Sequence, residues 1–406
     1  MKFYLSAVIL SLFFTGSVAA QTINTGDLKI NPGTVFSTHF DFDNEVTGDV
    51  VNDGELILHG NFNNDGLFTF TPLSNSGFTR FESSSGAQTI SGSLPSEFYS
   101  VLFNNNTIQP AFLLTGAISI AGNADFYEGI VDVDGSGGEI VFEAEATQSN
   151  TSDDSFVDGT VGRKGNNAFE FPFGDAGYFR PMAISSSGSP GNSFEGHYYL
   201  EGSDALYPNN QRQSIIEQID KTEYWKFESQ ETSIDLALTL TWNENTTPAT
   251  FINGNPDTVF AIVRWDVADA EWKFYPSAVD PANKTVTAAI RNDGIFTLAR
   301  VYEDTPDNIV IYNGVSPNGD GMNDYFFIDG LADFPDNSLE IYNRWGVKVY
   351  DTQAYGINNN WFWGISEGRT TINKGEKLPT GTYFYVLKYV TLMGRTKDRV
   401  GYLQIN

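Results

Sequence analysis

Gly48-Asp49-Val50-Val51-Asn52-Asp53-Gly54 recurs twelve residues later as Gly60-Asn61-Phe62-Asn63-Asn64-Asp65-Gly66. Leu56 and Leu58, which follow the first copy, match Phe68 and Phe70 after the second. Apolar residues alternate with polar ones, the period of a β-strand. Each Asn-Asp-Gly supplies the backbone freedom of a tight turn. Two architectures fit the pattern. One is a row of tight hairpins. The other is a short parallel β-solenoid, in which each coil covers the apolar face of its neighbour. Thr115-Gly116-Ala117-Ile118-Ser119-Ile120-Ala121-Gly122 echoes the repeat, and a run of short strands continues through Val141-Phe142, which favours the solenoid.

The rest of the chain has the same character. With 39 Gly, 16 Pro, 32 Phe, 19 Tyr and 7 Trp in 406 residues, it suits a turn-rich all-β protein with large aromatic cores. Residues 151–220 contain Phe156-Val157-Asp158-Gly159, then Phe169-Glu170-Phe171-Pro172-Phe173-Gly174-Asp175 and Tyr178-Phe179-Arg180-Pro181, read as short strands around a Pro-Gly corner. The last two resemble a recurrent module of Bacteroidetes surface proteins that implies no activity. Arg163, Lys164 and Arg180 stand alone in acidic surroundings, and internal ion pairing is the expectation for them, with a polyanion or sugar-acid site as the alternative. Gln211 to Ile219 is the one helix-like stretch. Residues 221–303 read as a β-sandwich with strands at Tyr224–Phe227, Ile234–Trp242, Val259–Asp266, Trp272–Tyr275, Thr285–Ile290 and Gly294–Val301. Residues 21–150 form the repeat-containing β region, and 308–406 a last, immunoglobulin-like sandwich of seven strands.

Composition removes several function classes. The formal net charge is −28, which opposes nucleic acid and anionic membrane surfaces. The absence of Cys removes disulfides, thiolate metal sites and Cys nucleophiles. Lys2, the apolar run Phe3 to Phe14 and the small residues to Ala20 read as a secretory leader, residues 1–20, cut before Gln21. No later run approaches a membrane span. Residues 308–406 hold 9 Lys/Arg and 10 Asp/Glu, a net of −1, so the remainder carries −27. That shift marks a boundary with a linker at Glu303–Asn308.

Catalytic signals are sparse. His39, His59 and His197 form no His-Glu-x-x-His pattern. No Gly-x-Ser-x-Gly elbow or phosphate loop precedes a helix. Trp225, Trp242, Trp265 and Trp272 are expected in the sandwich core, with a sugar platform as the alternative. Asp132-Val133-Asp134-Gly135-Ser136-Gly137-Gly138-Glu139 resembles half of a calcium loop. Asn318, Asp320, Asn323 and Asp324 place oxygen ligands on a Gly-flexible loop, a candidate calcium site. Calcium is the sole cofactor candidate, and no catalytic residue is assigned.

The strongest signal lies in residues 308–406. Ser316-Pro317-Asn318-Gly319-Asp320-Gly321-Met322-Asn323-Asp324 is followed by Asn343-Arg344-Trp345-Gly346, Trp361-Phe362-Trp363-Gly364 and Pro379-Thr380-Gly381-Thr382-Tyr383. This order of motifs closely resembles the gliding motility-associated C-terminal domain of Bacteroidetes, the type B sorting domain of the type IX secretion system. One departure is Trp361-Phe362-Trp363-Gly364, where that family has Trp-Asp-Gly, which removes one acidic turn residue. The resemblance implies an export address at the outer membrane, read by the translocon and a PorP/SprF-like outer-membrane protein. The near-neutral charge suits docking, and charge reversal at Lys374, Lys377, Lys388, Arg395, Lys397 and Arg399 is expected to impair export. The passenger, residues 21–307, reads as a structural or adhesive module (an adhesin) rather than an enzyme. The alternatives are a secreted polysaccharide hydrolase or lyase with paired carboxylates, and a non-catalytic carbohydrate-binding protein. A surface polysaccharide is one candidate partner of the passenger.

Overall fold

The computed structural model describes residues 20–231, 234–302, 309–366, 375–391 and 396–406. The leader before Ala20, the linker at Glu303–Asn308, Lys374 and Arg395 lie outside the described residues. Among the described residues there are forty strands and a single four-residue α-helix, Ala249–Ile252. No helix among them is long and apolar enough to cross a membrane. The chain divides into two compact units. One holds the chain up to Gln211 with 219–253 and 260–299, and the other holds 300–406 with 212–218 and 254–259.

The first unit opens as a parallel β-solenoid. Strands Gln21–Asn24, Asp27–Ile30 and Val35–Thr38 make one coil, and Asp41–Asn44, Asp49–Asn52 and Glu55–Leu58 make the next. Each strand pairs in parallel with its counterpart one coil on, giving three sheets with six complete coils. The hairpin alternative is excluded by this pairing. The twelve-residue repeat is not the coil. Its first copy covers a second-face and a third-face strand, and its second copy covers the next first-face and second-face strands. The repeat therefore advances two faces of three, while the true period from Gln21 to Asp41 is twenty residues.

Alternation sends one side of every strand inward, and the register stacks like on like. Leu58, Phe81, Phe103 and Phe126 follow one another up the third face. The Phe81 and Phe103 rings lie 6.0 Å apart and 9° from parallel, and Phe103 and Phe126 lie 5.3 Å apart. All four residues are fully buried, so the coil is filled and encloses no channel. The corners explain the Asn-Asp-Gly spelling. A Cβ at Gly66 would fall inside the carbonyl oxygens of Gly48 and Glu45, so only glycine lets successive coils approach there.

The second face does not stop with the solenoid. Val161–Lys164 pairs antiparallel with Ser193–Tyr199, which pairs with Tyr224–Ser229, and the sheet continues to Gly294–Tyr302, Thr258–Asp266 and Glu271–Tyr275. A facing five-stranded sheet runs Phe169–Phe171, Met182–Ile184, Leu236–Thr241, Thr285–Ile290 and Ser277–Asp280. The expected strands of 221–303 are present, and Ser277–Asp280 is an additional one. The stretch read as helical is not a helix. Residues 211–215 turn, and Ile216–Ile219 is a strand. Ile216–Ile219 pairs with Gly294–Tyr302, and the Asp220 amide donates to the Leu298 carbonyl, so tertiary strand pairing overrides the helical spacing.

The second unit has its own core, from Ile309 to Ile405. Residues 309–406 hold seven strands among the described residues. Val310–Ile311 pairs with Ile328–Asp329. The other sheet runs Gly314–Val315, Thr396–Ile405, Gly381–Val390, Asn337–Tyr342 and Lys348–Gln353. Phe362 is fully buried in this core, so the aromatic residue at the departure from Trp-Asp-Gly packs inside rather than shaping a surface turn.

Candidate functional site

The motifs of the C-terminal unit are turn-building devices, and each is held by its own polar residues. In the loop 316–324, both carboxylate oxygens of Asp324 accept backbone amides, from Gly319 at 2.6 Å and Gly321 at 2.8 Å. Asn318 Oδ1 accepts the Asp320 amide, and Asp320 Oδ1 accepts the Met322 amide at 2.8 Å. The Asn318 side chain donates to Asp320 Oδ2 at 2.9 Å and is the first cause holding the Asp320 carboxyl below its ordinary value. Asn323 takes a left-handed conformation, φ 53°, and its carbonyl accepts the Ser316 amide. The four candidate calcium residues are thus together in one loop, and its carboxylates already serve the loop's own amides.

This loop meets two other motifs. Lys377 donates from Nζ to the Pro317 carbonyl at 2.9 Å, and the Leu378 amide donates to the Gly364 carbonyl. Pro379 and Tyr383 close the next turn, the Tyr383 hydroxyl donating to the Pro379 carbonyl at 2.9 Å. Burial raises that hydroxyl's pKa. Thr382 Oγ1 donates to Gln404 Oε1 on the last strand.

The turn 343–346 is built differently. Asn343 is buried, and its Oδ1 accepts the amides of Trp345 and Val347, both at 3.0 Å. Gly346 takes φ 76°, which L side chains rarely adopt. Arg344 and Trp345 are exposed, with the guanidinium 4.3 Å from the ring centroid. The sequence reading missed the neighbours of this turn: Tyr342, Phe384 and Tyr402 sit side by side across three strands. The signal was present in Tyr383-Phe384-Tyr385-Val386-Leu387, an apolar run with no polar alternate, which marks a strand apolar on both faces.

The first unit holds two polar constellations. Arg180 and Glu223 form a fully buried ion pair at 3.0 Å. Glu223 also accepts from Tyr198 Oη at 2.7 Å and from Thr247 Oγ1 at 2.5 Å. The expectation of internal pairing holds for Arg180 and for Lys164, which meets Glu143 at 2.7 Å. Arg163 instead donates to the carbonyls of Glu143, Ala144 and Ala146 and lies 4.5 Å over the Phe169 ring.

The second constellation gathers Asp132, Asp134, Asp158, Asp175 and His197. Burial, then the charges of Asp175, Asp134 and Asp132, push the Asp158 carboxyl up to about 6. Burial lowers the pKa of His197, against the pull of Asp134. Its Nε2 lies 3.2 Å from Asp134 Oδ2, and its Nδ1 shares a 2.9 Å hydrogen bond with Thr160 Oγ1. The half-calcium loop is a capped turn, since Asp132 accepts from the Gly135 amide and Ser136 Oγ. Among the described residues no group of three or more His, Asp or Glu is placed to hold a metal ion. From His197 an aromatic run continues through Tyr199, Tyr224, Tyr207 and Trp265. Trp225, Trp242 and Trp272 are buried as expected, whereas Trp265 is half-buried.

Residues 309–405 match the family model of the CHU_C Type IX secretion signal domain. No curated protein matches the chain. The match agrees with the resemblance carried by the motifs above. It indicates a protein exported across the outer membrane by the type IX system, to the cell surface or the extracellular space.

Proposed function

We propose that the chain is a structural or adhesive protein of a Bacteroidetes cell surface or its surroundings, and that it is not an enzyme. A leader at residues 1–20 takes it across the inner membrane. The C-terminal domain then hands it to the type IX translocon, with a PorP/SprF-like outer-membrane protein as the receiving partner. The match over residues 309–405 is the observation that carries the export half of this reading. The filled solenoid supports the other half. A coil packed with Phe81, Phe103 and Phe126 is a stiff spacer with a long solvent face, which suits display rather than a sequestered reaction. The test is incubation of the purified chain with surface polysaccharides. Retention on the polymer without release of reducing or unsaturated ends is expected. Turnover that disappears in Asp158→Asn would replace this reading with the hydrolase.

One observation favours non-catalytic carbohydrate recognition as the adhesive mode. Half-buried Tyr199, Tyr207 and Trp265, packed around buried His197 and Tyr224, put partly exposed aromatic surface beside the carboxylates of Asp134 and Glu201, and Tyr224 donates to Glu201 at 2.8 Å. Sugar rings stack on such faces while their hydroxyls meet carboxylates. Loss of polysaccharide retention in Trp265→Ala is the expected result.

A further inference from the structure

We propose that the outer face of the five-stranded C-terminal sheet, with the Arg344–Trp345 turn at its end, is the surface by which a protein subunit of the secretion machinery grips this domain. The inference rests on the export reading above and names its handle. The strand register places Tyr342 beside Phe384 and Phe384 beside Tyr402. Their chain neighbours Ile341, Tyr383, Tyr385 and Leu403 fill the core, so the alternation of a strand turns the row to solvent. Phe384 is 49% exposed, Tyr402 56% and Val400, two residues along, 72%. The solvent face of an antiparallel sheet is ordinarily polar. A contiguous apolar row there marks an interaction site rather than scattered surface residues.

The turn adds the anchor. Trp345 is 71% exposed, and Arg344 lies over its ring. Beneath them Asn343 and Gly346 fix the backbone, so little ordering is lost when a partner closes on the pair. Trp and Arg are also the residue types that dominate interface energies.

Charge selects the kind of partner. Glu340, between the row and the rim, is neutralised by Lys348 at 3.0 Å and accepts from the Tyr342 hydroxyl at 2.7 Å. Residues 308–406 carry a net of −1, against −27 for the remainder. An apolar patch with a neutralised rim and one displayed guanidinium fits a protein surface that offers a pocket for the indole and a carboxylate for Arg344. An anionic lipid surface fits less well, because the rim cation Lys348 is already engaged by Glu340 at 3.0 Å and Asp351 at 3.6 Å.

The experiment uses the full chain in a host that carries the type IX machinery and reads the exported fraction. The variants are Trp345→Ala, Arg344→Glu, and Phe384→Thr with Tyr402→Thr, which keeps strand-forming residues. Export is expected to fall about tenfold or more in each, the loss of a hot-spot contact, while the purified variants melt with the wild type. A chain ending at Asp307 is the control. If that control is exported, the export reading itself fails. If it is retained while the surface variants leave the cell at wild-type levels, export stands and this face is not the handle. Unchanged export together with a wild-type dimer, or wild-type binding to anionic vesicles, that the variants abolish would also overturn the proposal, by assigning the face to a second copy or to lipid.

Discussion

Asn44 donates from Nδ2 to Oδ1 of Asn64, one coil further along, over 2.7 Å, and both side chains are fully buried. Asn44 Oδ1 in turn accepts from Asn24 at 2.8 Å, so one amide ladder runs through the first three coils. The same Nδ2 reaches the carbonyls of Gly48 and Leu67, which close the corners of two coils. Without Asn44 the buried Asn64 Oδ1 loses its donor, although the Gly48 carbonyl keeps the Leu67 amide, and a buried acceptor left without a donor costs about 1–3 kcal/mol. Asn44→Ala is therefore expected to destabilise the first unit by about 3 kcal/mol in denaturant unfolding. Asn44→Asp should cost more, because it adds a buried charge that cannot donate. A loss under about 1 kcal/mol would mean that water replaces the amide.

The Arg180–Glu223 pair predicts a non-additive cycle. Arg180→Met leaves Glu223 as a buried charge with only the Tyr198 and Thr247 hydroxyls, and is expected to cost about 3–5 kcal/mol. Adding Glu223→Leu removes the orphaned charge and should recover much of that loss. Chemical denaturation of the two single variants and the double variant checks the coupling. Additive losses would contradict it.

Asp220 sets a pH dependence. It is 1% exposed, its Oδ1 accepts twice from Thr222, and its Oδ2 has no partner. Burial, then the charge of Glu223, pushes its carboxyl up to about 7. With the folded pKa above the unfolded one, the folded state binds the extra proton between pH ~4 and 7, so this group lowers stability as pH rises through that window. Asp220→Asn keeps the Thr222 bonds without the charge. It is expected to gain about 2–4 kcal/mol over wild type at pH 8 and almost nothing at pH 4. Unfolding curves at the two pH values test this; equal differences at both would refute it.

Asp324 braces the 316–324 loop through two amides. Asp324→Ala is expected to lower the stability of the second unit by about 1–3 kcal/mol and to reduce export with it. Chelator should leave the wild-type melting temperature unchanged, since both carboxylate oxygens are engaged. A fall that calcium reverses would show that the loop exchanges its amide bonds for a cation.

Turn chemistry was the most legible part of this sequence. Gly66, Asn343 and Gly346 are named by what the backbone must do at those points, and the sorting motifs are such turns. Coil geometry was less legible. Strand starts at Gln21, Asp41, Phe62, Gln88 and Phe112 are unevenly spaced, and the one clean repeat joins different faces. For the same reason His39 and His59 read as unrelated. One coil apart, their rings stack at 4.1 Å. The stretch from Gln211 deceives because Ile215, Ile216 and Ile219 have helical spacing, while a turn followed by a strand buries the same three residues. The exposed row at Phe384 was hidden by strand propensity, since Tyr and Phe are ordinary in strands whichever face they take.

The central claim is that the C-terminal domain is the address. Express the full chain and a chain ending at Asp307 in a type IX-competent host, treat intact cells with protease, and assay cells and medium. The account predicts that the full chain is outside and that the shortened chain stays in the periplasm. Equal export of both would contradict it.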